Sequence, residues 1–280
     1  MNIKILSDST CDLSPELLEK LNVTVLPLTV IKEGQAYLDN VTITPADIFA
    51  HVASGGSLCS TTAMNVGEYQ DAFEKYSAEY DGVIHINLGS GFSSSHQNAL
   101  LAAEDFDNVR VVDSKNLSTG QGLVVLKACE LAATCTSLDE LYETLQEYTS
   151  HIESSFLLDQ LAYMVKGGRC SSAAALGANL LSLKPCIEVK DGKMSVVKKY
   201  RGNFAKCLSN YVKDRLADRT DIDKETLFVT RTPVSEDCLD AVKAAVDAYG
   251  DFENVYWTEA GCTVSCHCGP GTLGVLFVRK

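Results

Sequence analysis

Short apolar runs alternate with stretches of helical spacing along the first half of the chain. Ile3 to Leu6 reads as a strand, as do Val109 to Val112 and the run Val83-Ile84-His85-Ile86-Asn87-Leu88 after Asp81-Gly82. Val23 to Val30 is a further β-rich run, and Pro27 places it at a sheet edge, because proline cannot donate to a ladder. Ser14-Pro15-Glu16 and Thr44-Pro45-Ala46-Asp47 each set a hydroxyl before a proline, which starts a helix. Tyr69, Phe73 and Tyr76 recur at helical spacing, and so do Ala99, Ala102, Ala103 and Phe106. A long helical stretch follows from Thr119 to about Thr134. Ser137-Leu138-Asp139-Glu140 then reads as a capping box ahead of Leu141, Leu145 and Tyr148. Strand and helix thus alternate, which predicts a parallel sheet with helices on both faces.

The pattern changes at Phe156-Leu157-Leu158. Leu161, Met164 and Val165 predict a brief helix that stops at Lys166-Gly167-Gly168-Arg169. The small apolar stretch from Ala173 to Leu183, with Leu176, Leu180 and Leu181, suits close packing or a greasy pocket wall. Ile187 to Arg201 reads as two alternating strands joined by Asp191-Gly192, a primed hairpin turn. A helical stripe through Phe204, Leu208, Tyr211 and Leu216 follows, then a strand at Leu227 to Thr230, a helix from Ser235 to Tyr249 and a strand at Val255 to Trp257. Gly261 to Gly271 reads as a loop before a last strand, Gly274 to Val278. The expectation is an α/β protein of two domains. Residues 1–154 carry the mostly parallel sheet, and 155–280 a mixed sheet with a β-hairpin.

Composition narrows the class. The chain of 280 residues is 46% hydrophobic, yet it holds no apolar run of 18 residues, so no membrane span is expected. Met1 to Asp8 runs straight into a strand without the shape of a signal peptide, which points to the cytoplasm. A net charge of −13 argues against nucleic acid and against anionic membrane surfaces. Any anion site must therefore be built locally. Eleven scattered cysteines imply reduced, mostly buried thiols.

The candidate chemistry lies in two hydroxyl-rich stretches. Asn87 to Gln97 runs from a strand through Gly89, Ser90, Gly91, Ser93, Ser94 and Ser95 into a helix N-terminus, whose free N–H groups favour anions. The Gly-Lys-Ser/Thr ending of a Walker loop is absent. Ser54 to Ala63, with Thr61 and Thr62, is the second such stretch. Asp8-Ser9, Thr61-Thr62, Ser93-Ser94 and Asp113-Ser114 all fall near strand carboxyl ends, where open α/β sheets bind ligands. Against a site stands the plain tendency of Ser and Thr to cap helices and populate loops. Cys262 to Cys268 invites a zinc reading, but Cys266, His267 and Cys268 would alternate direction in an extended chain, so no metal is expected. His267-Cys268-Gly269-Pro270-Gly271 reads instead as a rigid turn presenting one histidine. Arg169, after two glycines, is displayed where its fork meets carboxylate or phosphate, unless it is an exposed solubilising charge. No dinucleotide loop and no cofactor site is expected.

Taken in order, these motifs resemble the DegV family, which includes the fatty-acid-binding subunits of bacterial fatty acid kinase. The resemblance runs along nearly the whole chain. It rests on Ser7-Asp8-Ser9-Thr10, Thr61-Thr62 with Gly67-Glu68-Tyr69, Ser90-Gly91-Phe92-Ser93, Val112-Asp113-Ser114, Lys166-Gly167-Gly168-Arg169, Lys184-Pro185 and His267-Cys268-Gly269-Pro270-Gly271. It implies two α/β domains around a long acyl chain, with the hydroxyls of Thr61 and Ser93 on the carboxylate. Thr62 and Ser94 beside them are expected to bind the ligand as well. His267 and Arg169 match positions tied to the head group and to an ATP-dependent fatty acid kinase partner. The chain itself would supply no catalytic residue. The usual Thr-Ser-Gln-Pro stands here as Thr61-Thr62-Ala63-Met64, and the usual Ser-Gly-Thr-Tyr as Ser93-Ser94-Ser95-His96. The alternative is a small-molecule hydrolase or transferase using the Ser93 loop, which needs His96 or His267 in hydrogen-bond reach of Ser93.

Overall fold

The computed structural model describes residues 1–176 and 183–280. Its first sheet is parallel, in the order β2-β1-β6-β7. It is made of β1 (Ile3–Asp8), β2 (Thr24–Leu26), β6 (Gly82–Asn87) and β7 (Val109–Asp113). A second sheet of six strands is mixed, in the order β10-β9-β8-β13-β11-β12. Its strands are β8 (Ile152–Leu158), β9 (Leu183–Lys190), β10 (Lys193–Arg201), β11 (Ile222–Arg231), β12 (Asn254–Glu259) and β13 (Thr272–Arg279). This is the expected α/β architecture, and the chain enters the second sheet along β8, the strand that contains residue 154.

The β9–β10 hairpin turns at Asp191 and Gly192 with φ of 50° and 70°, the two left-handed residues a primed turn requires. The Val23–Val30 run, by contrast, is two strands and not one. Pro27 and Leu28 separate β2 from β3 (Thr29–Lys32), which leaves the first sheet and joins a small antiparallel sheet of order β4-β3-β5. Here β4 is Gln35–Leu38 and β5 is Ser60–Thr62. Thr61 therefore sits on a strand, paired with the fully buried Val30, and not in a loop. Ser137 accepts from Glu140 N–H at 3.3 Å, which is one half of the reciprocal box expected there. Of the apolar stretch 173–183, residues 177–182 lie outside the described residues. Ala173 before them is buried beside Met164 and Cys170.

One core joins the two large sheets. The helix Thr119–Ala132 lies between them, with Leu123, Val124, Val125 and Ala128 buried against Ile84, Ile86 and Val112 on one side and Phe228, Leu276 and Val278 on the other. Burying such a helix on both faces needs small residues. A Cβ on Gly122 would lie 2.9 Å from the Cys11 carbonyl oxygen. All eleven cysteines are free thiols, eight of them buried.

Buried polar ties bind the two halves. Asp12 accepts from Ser118 Oγ at 2.6 Å and from Gly261 N–H at 2.9 Å. Burial, opposed by those two hydrogen bonds and reinforced by nearby Asp39, pushes its carboxyl up to about 8. The folded protein therefore binds a proton that the unfolded chain releases above its ordinary value of 3.8. The stability this gives is full below that value and is lost as pH rises through about 8. Asp12→Asn keeps one acceptor for Gly261 and is expected to flatten this decline by up to about 1.4 kcal/mol per pH unit. Urea midpoints taken between pH 5 and pH 8 check it; an unchanged slope assigns the pH dependence to other groups.

Candidate functional site

The helix Cys262–Cys268 organises the site, and it replaces the extended turn expected there. Its first free amides are capped from far away. Asp39 accepts from Cys262 N–H at 2.8 Å and from Thr263 N–H at 3.2 Å, and holds Ser9 Oγ at 2.8 Å. Seven residues are too few for a helix to persist without such tertiary support. In this helix Thr263 and His267 stand at i and i+4, on one face. No group of three metal-ligating side chains occurs among the described residues.

That face lines a cleft of about 580 Å³, open solvent at its mouth included. Leu28, Leu88, Phe92, Leu117, Met164, Met194 and Val264 make its wall apolar. Thr10, Thr61, Thr62, Ser93, Thr263, His267 and Arg169 supply the polar groups. Residues from position 10 to position 268 thus meet around one opening. Ser94 is not among them: it is exposed and begins the helix Ser95–Ala103 with no side-chain cap bond.

Thr61 Oγ1 and His267 Nε2 are 2.9 Å apart. His267 Nδ1 has no partner among the described residues, and a Cβ on Gly167 would sit 2.4 Å from it. An unpaired buried N–H is costlier than an unpaired lone pair. We therefore place the proton on Nε2, so that the ring donates to Thr61 and the Thr61 hydroxyl is free to donate into the cleft. Burial, and then the charge of Arg169, push the imidazole down to about 4, so the ring is neutral at pH 7. Arg169 lies exposed at the rim, donating from Nη1 to Gly167 O at 2.7 Å and from Nε to Phe92 O at 3.4 Å.

Ser93 Oγ lies 2.9 Å from Ser95 Oγ and accepts from Ser95 N–H at 3.1 Å. His96 Nδ1 instead contacts Asn87 Oδ1 at 3.3 Å, and His267 Nε2 is committed to Thr61. The Ser–His pair that a nucleophilic serine requires is not formed. Sequence reasoning missed Thr263. Read as a helix, the segment would have paired it with His267 four residues on.

A second cavity of about 400 Å³, open solvent at its mouth included, adjoins the first and shares Leu117, Val264 and Cys268 with it. Phe156, Val189, Gly274 and Leu276 line its far side.

Fold and site together define an α/β protein of two large sheets enclosing an apolar cleft tipped with neutral hydrogen-bonding groups. The chain belongs to the DegV family, whose model, described as "uncharacterised protein, DegV family", matches residues 2–280. A DegV domain-containing protein of Clostridium acetobutylicum is 33% identical over 281 residues, covering 99% of each chain. Among solved structures, a DegV family protein from Thermus thermophilus, described as binding fatty acid, superposes with a TM-score of 0.90 at 27% identity over 100% of both chains. DegV from Bacillus subtilis, described as a fatty acid binding protein, gives 0.82 at 26% identity, again over 100% of both. Among the described residues no helix is long and apolar enough to cross a membrane.

Proposed function

We propose that this protein binds a long-chain fatty acid in the apolar cleft and presents its carboxylate to a separate ATP-dependent kinase, which converts it to an acyl phosphate. The observation that carries the reading is the apolar cleft that ends in Thr61 paired with a neutral His267. Burying about 15 methylenes at roughly 0.8 kcal/mol each is worth up to about 12 kcal/mol before association costs. A greasy wall therefore supplies most of the affinity. In this reading the tail continues into the adjoining cavity, which shares Leu117, Val264 and Cys268 with the cleft.

The carboxylate cannot be buried unpaired. In this reading the Thr61 hydroxyl donates to it, with Ser93 beside it. Neutral donors suit an acid that must become a phosphate, since a direct buried ion pair would hold the substrate more tightly than the product. In this reading Arg169, which is exposed, is the residue that engages the kinase. The family relatives described as binding fatty acids support the ligand class.

Native mass spectrometry of protein from a heterologous host, followed by denaturation and identification of the released molecule, tests the reading. A stoichiometric fatty acid is expected. Protein that is empty and also refuses added fatty acid overturns it. For the kinase step, Arg169→Ala is expected to retain lipid but to lose roughly ten-fold or more in acyl phosphate formation with kinase and ATP, the scale of one charge-assisted hydrogen bond. Loss of lipid as well would place Arg169 inside the binding site.

A further inference from the structure

Four residues with buried or half-buried hydroxyls line the cleft, and three of those hydroxyls are already engaged within the protein. Thr61 is bonded to His267, Ser93 to Ser95, and Thr10 donates to Gln121 Oε1 at 2.8 Å. The fourth, Thr263 Oγ1, has no partner among the described residues, although the residue is only 5% exposed. A buried hydroxyl with nothing to bond costs free energy that a valine of the same shape would not. Its place in the cleft gives that cost a use.

Thr263 stands one helical turn from His267 on the same face, about 5–6 Å away between Cβ atoms. Direction along the cleft is set by charge and burial. Arg169 is exposed and acts on the His267 ring, which marks the mouth. Thr263 lies buried toward the other end of the helix, where Asp39 accepts from its N–H. In the fatty-acid reading, a carboxylate held by the Thr61 hydroxyl runs its first carbons past Thr263. A plain methylene chain there leaves the hydroxyl unpaired. An oxygen on the third carbon, two carbons in from the carboxyl, comes within its reach.

We propose that the cleft takes acyl chains hydroxylated at the third carbon, the 3-hydroxy acid class, with Thr263 Oγ1 as the group that pairs with that hydroxyl. The proposal rests on the fatty-acid reading above and specifies its ligand.

The test is competition of palmitate and of 3-hydroxypalmitate against a bound fluorescent fatty acid, on wild-type protein and on Thr263→Val, which keeps volume and β-branching. The wild type is expected to favour the 3-hydroxy acid several-fold, and Thr263→Val to shift the ratio of the two affinities about ten-fold toward palmitate, as for one lost buried hydrogen bond. Thr263→Ser should restore the preference. A wild type that binds palmitate without favouring the hydroxy acid overturns the proposal and leaves the fatty-acid reading standing. So does a preference that survives in Thr263→Val, or an equal loss of both acids, which would make Thr263 a carboxylate donor. Failure of the wild type to bind either acid overturns both.

Discussion

Asp8→Ala is expected to remove about 3–5 kcal/mol of folding stability, the scale of breaking a buried, hydrogen-bonded charge. Asp8 is fully buried at the carboxyl end of β1. It accepts from Tyr69 Oη and Leu88 N–H at 2.8 Å, and from Asn87 Nδ2 and His85 Nε2 at 3.1 Å. Burial and the adjacent carboxylate push the Tyr69 hydroxyl up, so it stays a proton donor. One carboxylate thereby fixes the helix Val66–Glu79, β6 and the start of the serine loop that carries Ser93. Alanine leaves the Tyr69 hydroxyl, the Leu88 N–H and the His85 ring without that acceptor, while Asn87 Nδ2 keeps Tyr69 Oη at 3.1 Å; each lost partner costs about 1–3 kcal/mol, and the costs do not simply add. Urea unfolding measures the loss. A variant within about 1 kcal/mol of wild type would mean that water replaces the carboxylate, and the network would not be what holds the loop.

The parts of the fold that local chemistry encodes were readable in the sequence. Apolar runs gave β1, β6 and β7, and Asp191-Gly192 gave the hairpin, because each conformation is fixed by residues within a few positions. β4 was not readable: Gln35, Ala36 and Leu38 are exposed, so no alternation marks a core face. Glu33 and Gly34, at φ of 49° and 77°, make its turn. The helix Cys262–Cys268 was not readable either, since its cap, Asp39, lies more than 220 residues away in sequence. The site followed the same rule. Thr61, Thr62, Ser93, Arg169 and His267 could be named from composition, motif and family resemblance, but no spacing shows that residue 61 touches residue 267. Ser94 shows the converse, as adjacency to Ser93 in sequence puts it on the outside of the turn. Thr263 went unnamed because its relation to His267 exists only once the segment is helical.

Thr61→Val is expected to weaken fatty-acid binding by about 1.5–3 kcal/mol, or roughly ten- to more than a hundred-fold in dissociation constant. Valine keeps the β-branched shape that strand β5 packs against Val30, so the fold around it has no steric reason to change. What disappears is one hydroxyl that serves two groups. Toward the ligand it is a donor to a carboxylate that the apolar wall cannot solvate. Toward the protein it accepts from His267 Nε2, and without it both ring nitrogens are unpartnered, since Nδ1 has no bond among the described residues. The variant should therefore also lose about 1–3 kcal/mol of stability when empty. The two effects separate by experiment: affinity is measured by titration below the unfolding transition, and stability by urea in the absence of lipid. Thr61→Ser, which restores the hydroxyl without the methyl, should recover most of both. Valine protein that stays folded and binds the acid as tightly as wild type would sink the assignment of the carboxylate to the Thr61–His267 pair. The acid would then have to be held by Ser93 or Arg169 instead. Loss of stability with affinity intact would make the pair a structural clasp between β5 and the Cys262–Cys268 helix, holding the cleft closed without touching what it binds.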